Sequence, residues 1–506
     1  MGSLLWTPRR HRIGDITIIR VGEVYHLFTE QTTVDWDGSM GNAFAGIRSV
    51  GHAVSKDMFE WEELPAAIEC GPAGSFDAYS IYHMDVFIHD GIWYMYYTGL
   101  DKGGPGEQQS IGLATSPDGI RWEKHPSNPV LRADPRWYEQ AIPREATYQE
   151  KDFDRLWFRD PFIIRDPQTG TFGMIVIARD KSKHPDVRAC LAWATSKDLI
   201  HWTAHEPIYS PGRFHTIETP SMFERMGRHY IIFMTASYWG TPILVSDSYQ
   251  NAGNLYAVSN QGWTGPYEAP ADEILTATPE QLRMGATRTV EGPDGEHYYY
   301  GWLSVLSAKD DEPRRRNHSM VVPPPRRVKF LEDGQMQVVW HEGIERYVRK
   351  TDLPPLPETA SPAFVKRDDS VVGKSFKATA LALFPGQYEN LIFSAHLEFI
   401  RGERAGLVVR ADAGANTGWR IVVDRRLRRV EFGLLGQSGF LDARAWKPTA
   451  KVNVKVVAYE ESLEVYLDDR LMIHQVRHRE TMGQVALFVD KAEVRFTEMQ
   501  LSVFPH

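Results

Sequence analysis

Short aromatic and β-branched runs, each set against a tight glycine turn, recur along the first 300 or so residues of this chain. They read VGEVYHLF (21–28), DGIWYMYYTG (90–99), TGTFGMIVI (169–177), MGRHYIIFM (226–234) and DGEHYYYGW (294–302). A second pattern alternates with the first: AVSKDMFEW (53–61), ATSPDGIRW (114–122), ATSKDLIHW (194–202) and a weaker AVSNQGWTGPYE from Ala257. Five copies of one strand–turn–strand unit, in fixed order, predict radial repetition, and a five-bladed β-propeller is the natural solution.

The repeat stops near residue 305, and a charged, proline-dense stretch follows (308–330). Within it, Arg314–Arg316 reads as a solvated loop in an acidic protein. VKFLEDGQMQVVW (328–340) predicts a hairpin turning at Asp333-Gly334, and a connector over 343–357 ends in proline-rich sequence. From about Ala363 the pattern is alternating strands with no helix-period stretch, which predicts an antiparallel β-sandwich. Arg425–Arg429 falls in this half and reads as a solvated hairpin. The expected fold class is therefore all-β: a five-bladed β-propeller (1–335), a linker (336–360) and a C-terminal antiparallel β-sandwich (361–506) that serves as a support module.

Composition narrows the chemistry. The chain has 506 residues, is 42% hydrophobic and 24% charged, and carries a formal net charge of −9. Ample length for two cores and an acidic balance argue against nucleic acid or an anionic membrane as partner. No apolar run is long enough to span a bilayer, and the start lacks a secretory apolar core, so a cytoplasmic location is expected. Cys70 and Cys190 lack metal-ligand spacing and are expected as buried thiols. There is no GxSxG elbow, P-loop, GxGxxG after a strand, or HExxH.

Aligning the units by their glycine turns puts an acidic residue at the start of successive inner strands: Asp15, Asp85, Asp160 and Glu218. The starts of propeller inner strands converge on one funnel mouth. Carboxylates crowded there repel one another and lose hydration, which separates their pKa values into an ionised nucleophile and a protonated acid. That is the machinery of glycoside hydrolysis, and it needs no metal or other cofactor. Arg159 supplies a donor fork suited to sugar hydroxyls. Trp36, Trp93, Trp137, Tyr79 and Trp239 are candidates for sugar-stacking faces and equally for blade packing.

With these residues in place the chain resembles glycoside hydrolase family 32, the invertase, inulinase and levanase group. WFRDPF (157–162) carries that family's Arg-Asp-Pro motif intact, IETPSMF (217–223) is similar to its Glu-Cys-Pro segment, and HSMVVPPPRRVKF resembles its hand-over to the C-terminal sandwich. The resemblance implies Asp15 as nucleophile, Glu218 as general acid/base and Asp160 as the residue that binds sugar hydroxyls and stabilises the transition state. It departs from the family around the nucleophile, where Arg12 to Ile18 keeps the Asp but loses the Trp and both Asn of Trp-Met-Asn-Asp-Pro-Asn-Gly. The family's sugar-contacting Phe-Ser-Gly-Ser segment falls at Asp77 to Ser80, including Tyr79 and Ser80, or in a shifted alignment at His83 to Asp85. The implied activity is retaining hydrolysis of fructofuranosides through a glycosyl–Asp15 ester, with Asp15 and Glu218 about 5–5.5 Å apart. Fructosyl transfer, a difructose-anhydride-type reaction, an arabinofuranosidase and a non-catalytic sugar-binding protein are the other readings. The partner is a small carbohydrate, and self-association stays open.

Overall fold

The computed structural model describes residues 4–33, 47–102, 108–140, 157–241, 250–305, 320–357 and 361–505. These form an all-β molecule whose only helices are short 3₁₀ turns. Four separate four-stranded antiparallel sheets come first, each pairing its strands in sequence order. Their inner strands are His11–Val21, Ser80–His89, Arg159–Arg165 and Glu218–Arg225. The strands Met284–Glu291, His297–Ser304, Arg326–Phe330 and Met336–Val339 also pair in order, but Val339 pairs onward with Arg470, joining them to one large C-terminal sheet. The arrangement is propeller-like, with four self-contained blades and a fifth strand set continuous with the C-terminal sheet. The hairpin at Asp333-Gly334 forms as the sequence predicts, with Gly334 at φ +89°.

The Ser-x-Asp repeat has a local cause. Ser55 Oγ accepts the N–H groups of Asp57 (3.1 Å) and Met58 (2.8 Å), and Asp57 Oδ1 accepts those of Phe59 (2.9 Å) and Glu60 (3.2 Å). Ser116–Asp118 and Ser196–Asp198 repeat the pattern. Each pair therefore closes the turn after the third strand of its blade. In the weaker copy Ser259 keeps its bond to the Gln261 N–H, but no Asp follows to complete the turn.

Two 21-residue strands, Leu391–Ala411 and Gly483–Val503, pair along most of their length and organise the C-terminal sheet around a core including Phe393, Leu397, Leu407, Leu487 and Phe496. This sheet is fixed to the blades by buried polar contacts. Gln250 donates to Asp442 (2.9 Å), Arg444 donates to the Ile274 carbonyl (2.6 Å), and Arg326 pairs with Glu464. Arg425–Arg429 lies at the exposed end of a hairpin, as expected, and Arg314–Arg316 lies outside the described residues. Cys190 is buried and Cys70 half-buried, both as thiols.

At the centre of the blades lies Arg288, fully buried on the strand Met284–Glu291. It donates to Asp85 Oδ1 (2.8 Å), Thr17 Oγ1 (3.0 Å) and the Pro220 carbonyl (3.1 Å), approaches His83 Nε2 (2.5 Å), and stacks over the Phe162 ring at 4.9 Å. The other oxygen of Asp85 accepts the Ile163 N–H (2.9 Å). Removing one partner of a buried ion pair leaves an uncompensated charge. Asp85→Ala should therefore cost about 3–5 kcal/mol of stability. Asp85→Leu with Arg288→Met should recover a large part of that loss, as read by denaturant midpoints. A single variant as stable as the parent would contradict this role for the pair.

Candidate active site

Every central strand carries a β-bulge near its start, and the bulges build the site. The antiparallel register slips between Ile13 and Ile16, between Tyr82 and Met84, opposite Asp160-Pro161, between Glu218 and Ser221, and between Gly285 and Arg288. An extra residue re-aims the side chains around it. Asp15, His83 and Asp160 thus sit within their bulges, and Glu218 opens the fourth. Asp160 (φ 59°) and Thr219 (φ 48°) adopt left-handed backbone there.

The bulge on Ser80–His89 corrects one expectation. His83, not Asp85, occupies the position equivalent to Asp15. Asp85 lies two residues deeper, where its two carboxylate oxygens are engaged by Arg288 and the Ile163 N–H, so its contacts tie the central strands together.

Asp15 keeps 21% of its side chain exposed. Its Oδ1 accepts the Trp302 indole N–H (2.7 Å), and its Oδ2 faces His83 Nδ1 at 3.6 Å. Burial pushes the Asp15 carboxyl upward, but the facing His83 and Trp302 groups and the Arg159 charge outweigh it and hold the pKa below the ordinary value. Glu218, 15% exposed, is paired through Oε1 with Arg159. Burial raises its pKa, Arg159 opposes, and the Asp160 and Asp15 charges add to the rise, which carries it to about 7. Asp160 accepts the Thr219 N–H on Oδ2 (2.9 Å), while its own N–H donates to Thr98 Oγ1 (3.0 Å). Burial raises its pKa too.

Arg159 is not a loose sugar ligand. Its guanidinium stacks over Trp157 at 3.8 Å, binds Glu218 and lies 3.7 Å from Asp160. It thus links the Glu218 and Asp160 carboxyls through one guanidinium.

Glu30 was not singled out from the sequence. It is buried, and its Oε2 accepts the Asp15 N–H (3.0 Å). Burial and the Asp15 charge push its pKa well above the usual range. Gly14 makes this approach feasible, because a Cβ there would fall 2.2 Å from Glu30 Oε2. Trp302 and Arg288 also went unremarked, since an aromatic in a strand and a lone Arg in an inner strand read as packing and surface. Gly285 leaves room for the Trp302 indole, which a Cβ would meet at 2.2 Å.

The remaining candidates fall outside this cluster. Trp93 is buried against His26 and Trp122, at the end of its strand remote from Thr98, and serves blade packing. The Ser80 hydroxyl donates to the Ile47 carbonyl (2.7 Å) and Tyr79 packs on Ile47, Tyr82 and Leu100, so both make packing contacts with the segment at Ile47. Trp137 is half-buried beside Arg136. Trp239 follows the strand paired with Glu218, packs edge-on to Tyr238 and lies against the buried cluster of Met234, Leu282 and Trp302. Trp36 lies outside the described residues.

The profile of the "Glycosyl hydrolases family 32 N-terminal domain" matches residues 17–341. The chain is 29% identical over 276 residues to the raffinose invertase of Escherichia coli, covering 52% of this chain and 50% of that protein. It is 28% identical over 208 residues to the 6(G)-fructosyltransferase of Asparagus officinalis, covering 40% of this chain and 28% of that protein. The chain thus spans half or less of the length of these relatives. Among solved structures, a GH32 β-fructofuranosidase of Bombyx mori matches with a TM-score of 0.69 over 99% of this chain and 93% of that one, at 15% identity. Fructan 1-exohydrolase IIa of Cichorium intybus gives 0.69 over 99% and 97%, also at 15%. At such identities the structural likeness speaks for the fold alone. The family profile, which begins two residues after Asp15, covers well over half of the sequence, so the chain belongs to glycoside hydrolase family 32.

Proposed function

We propose that this chain is a retaining glycoside hydrolase that cleaves fructofuranosides, with Asp15 as nucleophile, Glu218 as general acid/base and Asp160 as a binder of sugar hydroxyls. The observation that carries the reading is that two carboxyls of one cluster have different partners: Asp15 accepts the Trp302 indole N–H and is held low, whereas Glu218 shares Arg159 with Asp160 and is raised to about 7. A pair split in this way supplies an ionised nucleophile and a proton donor at the same pH.

In this reading Asp15 attacks the anomeric carbon, forming a C–O bond as the glycosidic C–O bond breaks, and Glu218 gives its proton to the leaving oxygen. Water then attacks the glycosyl–Asp15 ester while Glu218 takes back a proton. Arg159 keeps the Glu218 carboxyl oriented through both steps. Tyr238 and Trp239, on the Glu218 side, would face the leaving group. The same reading takes Met284–Val339 as the fifth blade, which moves the end of the catalytic portion from 335 to the close of the hairpin at Val339. It takes the C-terminal sheet as a folded sandwich that supports the blades. The substrate is a small fructoside or fructo-oligosaccharide, and fructosyl transfer is the outcome if the ester is intercepted by a sugar instead of water.

Replacing Asp15 or Glu218 by Ala should lower kcat by several orders of magnitude on the best of sucrose, inulin and levan, with circular dichroism unchanged. Azide should partly rescue Glu218→Ala on substrates whose leaving group needs no proton. Near-normal turnover by Asp15→Ala would remove it as nucleophile.

The enzyme needs Asp15 ionised and Glu218 protonated, so kcat/KM should hold down to acidic pH and fall as pH rises through about 7. Asp160→Asn removes a charge that raises Glu218. Its residual activity should therefore show the descending limb at lower pH. An unmoved limb in that variant would assign the limb to another group.

The first-formed product should keep its anomeric configuration, and added methanol should yield a methyl fructoside. Inversion without methyl transfer, seen by proton NMR, would recast Asp15 as a general base in an arabinofuranosidase-like reaction.

A further inference from the structure

We propose that His83 is a positioning residue for Asp15, its ring tautomer set by Arg288 so that the Nδ1–H faces the second oxygen of the nucleophile. The inference rests on Asp15 as nucleophile, and it concerns how that carboxylate is held. His83 is completely buried, so it does not meet bulk water. An arginine guanidinium offers only protons, and Arg288 Nη2 stands 2.5 Å from His83 Nε2. Nε2 must therefore present its lone pair, which leaves the proton of the neutral ring on Nδ1. That nitrogen lies 3.6 Å from Asp15 Oδ2, whereas Oδ1 is already bound to Trp302 at 2.7 Å.

The two oxygens of Asp15 are thus held differently. Trp302 pins Oδ1, and Oδ2, without a short bond, is left available to attack while the His83 N–H favours its negative charge. Once Oδ2 carries the glycosyl group, the same N–H faces the oxygen that must leave as water cleaves the ester. Arg288 is in turn fixed by Asp85, Thr17 and the Pro220 carbonyl, so the tautomer is set by the packing of the strands and not by solvent.

Other ionisable groups face this pair: Glu30 from the second strand of the first blade, Arg159 and Asp160 from the third inner strand, and Glu218 from the fourth. Asp85 lies two residues along from His83, on the far side of Arg288. None of them presents an N–H to Oδ2 among the described contacts, so a change at His83 should be read specifically through the ionisation of Asp15.

The test compares the full-length parent, His83→Ala and His83→Asn. The Asn amide places an N–H where Nδ1–H stands, without an acceptor for Arg288. In His83→Ala the ascending acid limb of kcat/KM should move up by about one pH unit or more, because burial of Asp15 is then less opposed. The descending limb should stay, and His83→Asn should return the acid limb toward that of the parent. A packing defect alone would lower the plateau and leave the limb in place, so an unmoved acid limb in folded His83→Ala overturns the proposal. NMR of the ¹⁵N-histidine-labelled parent supplies a readout independent of activity. The resonance pair missing from His83→Asn should report a proton on Nδ1, and a proton on Nε2 overturns the proposal. Turnover by Asp15→Ala would defeat the nucleophile assignment alone, since the His83 tautomer remains measurable without it.

Discussion

The blades meet around one buried guanidinium. Arg288 contacts the inner strand of each of the four blades: Thr17 of the first, His83 and Asp85 of the second, Phe162 of the third and Pro220 of the fourth. A cation this deep needs a matching charge and acceptors for most of its N–H groups. Asp85 supplies the charge, and backbone and hydroxyl oxygens take further protons. Asp85 in turn receives the Ile163 N–H, so the second and third blades are tied through the same carboxylate. Any shift of one inner strand against its neighbours would strand a buried charge. This is why the bulged residues above it are held in fixed register.

The charge balance of the funnel follows from that constraint. Two guanidiniums, Arg159 and Arg288, lie among five carboxyls: Asp15, Glu30, Asp85, Asp160 and Glu218. In a buried cluster the surplus negative charge is relieved by taking up protons. Which groups take them depends on the donors each can find. Asp85 has Arg288, and Asp15 has the Trp302 and His83 groups. Glu30 has chiefly backbone N–H groups, and Glu218 shares one guanidinium with Asp160, so these two are raised most. The lowered Asp15 and the raised Glu218 are two outcomes of one electrostatic competition.

Much of the fold could be read in the chain because its signals are local. The Ser-x-Asp turns make hydrogen bonds over two or three residues, so they print themselves on the sequence at Ser55, Ser116 and Ser196. Asp15, Asp160 and Glu218 were legible because each opens a β-rich run that leads into a glycine turn, at Gly22, Gly170 and Gly227. Asp85 looked equivalent by the same count, but a bulge adds a residue without altering composition, and the slip between Tyr82 and Met84 moved His83 into its place. Glu30, Trp302 and Arg288 were missed for a different reason. Each acts on a residue far away in sequence, 15 positions for Glu30 and 287 for Trp302, and such pairings exist only once the strands are assembled.

This long-range support also accounts for the setting of Asp15, whose sequence neighbours supply none of it. The segment around Asp15 lacks the Trp and both Asn that commonly surround it, so its immediate neighbours in sequence, Gly14 and Ile16, offer no side-chain donors. Donors arrive instead from other parts of the propeller: an indole N–H from the strand His297–Ser304 and an imidazole from the bulge on Ser80–His89. Gly14 takes on a separate task, admitting the Glu30 carboxyl beneath the Asp15 backbone. A carboxylate's pKa depends on the donors and charges around it and not on where in the chain they originate. The electrostatic setting of Asp15 can therefore be built from distant strands, provided that their register is fixed, and Arg288 fixes it.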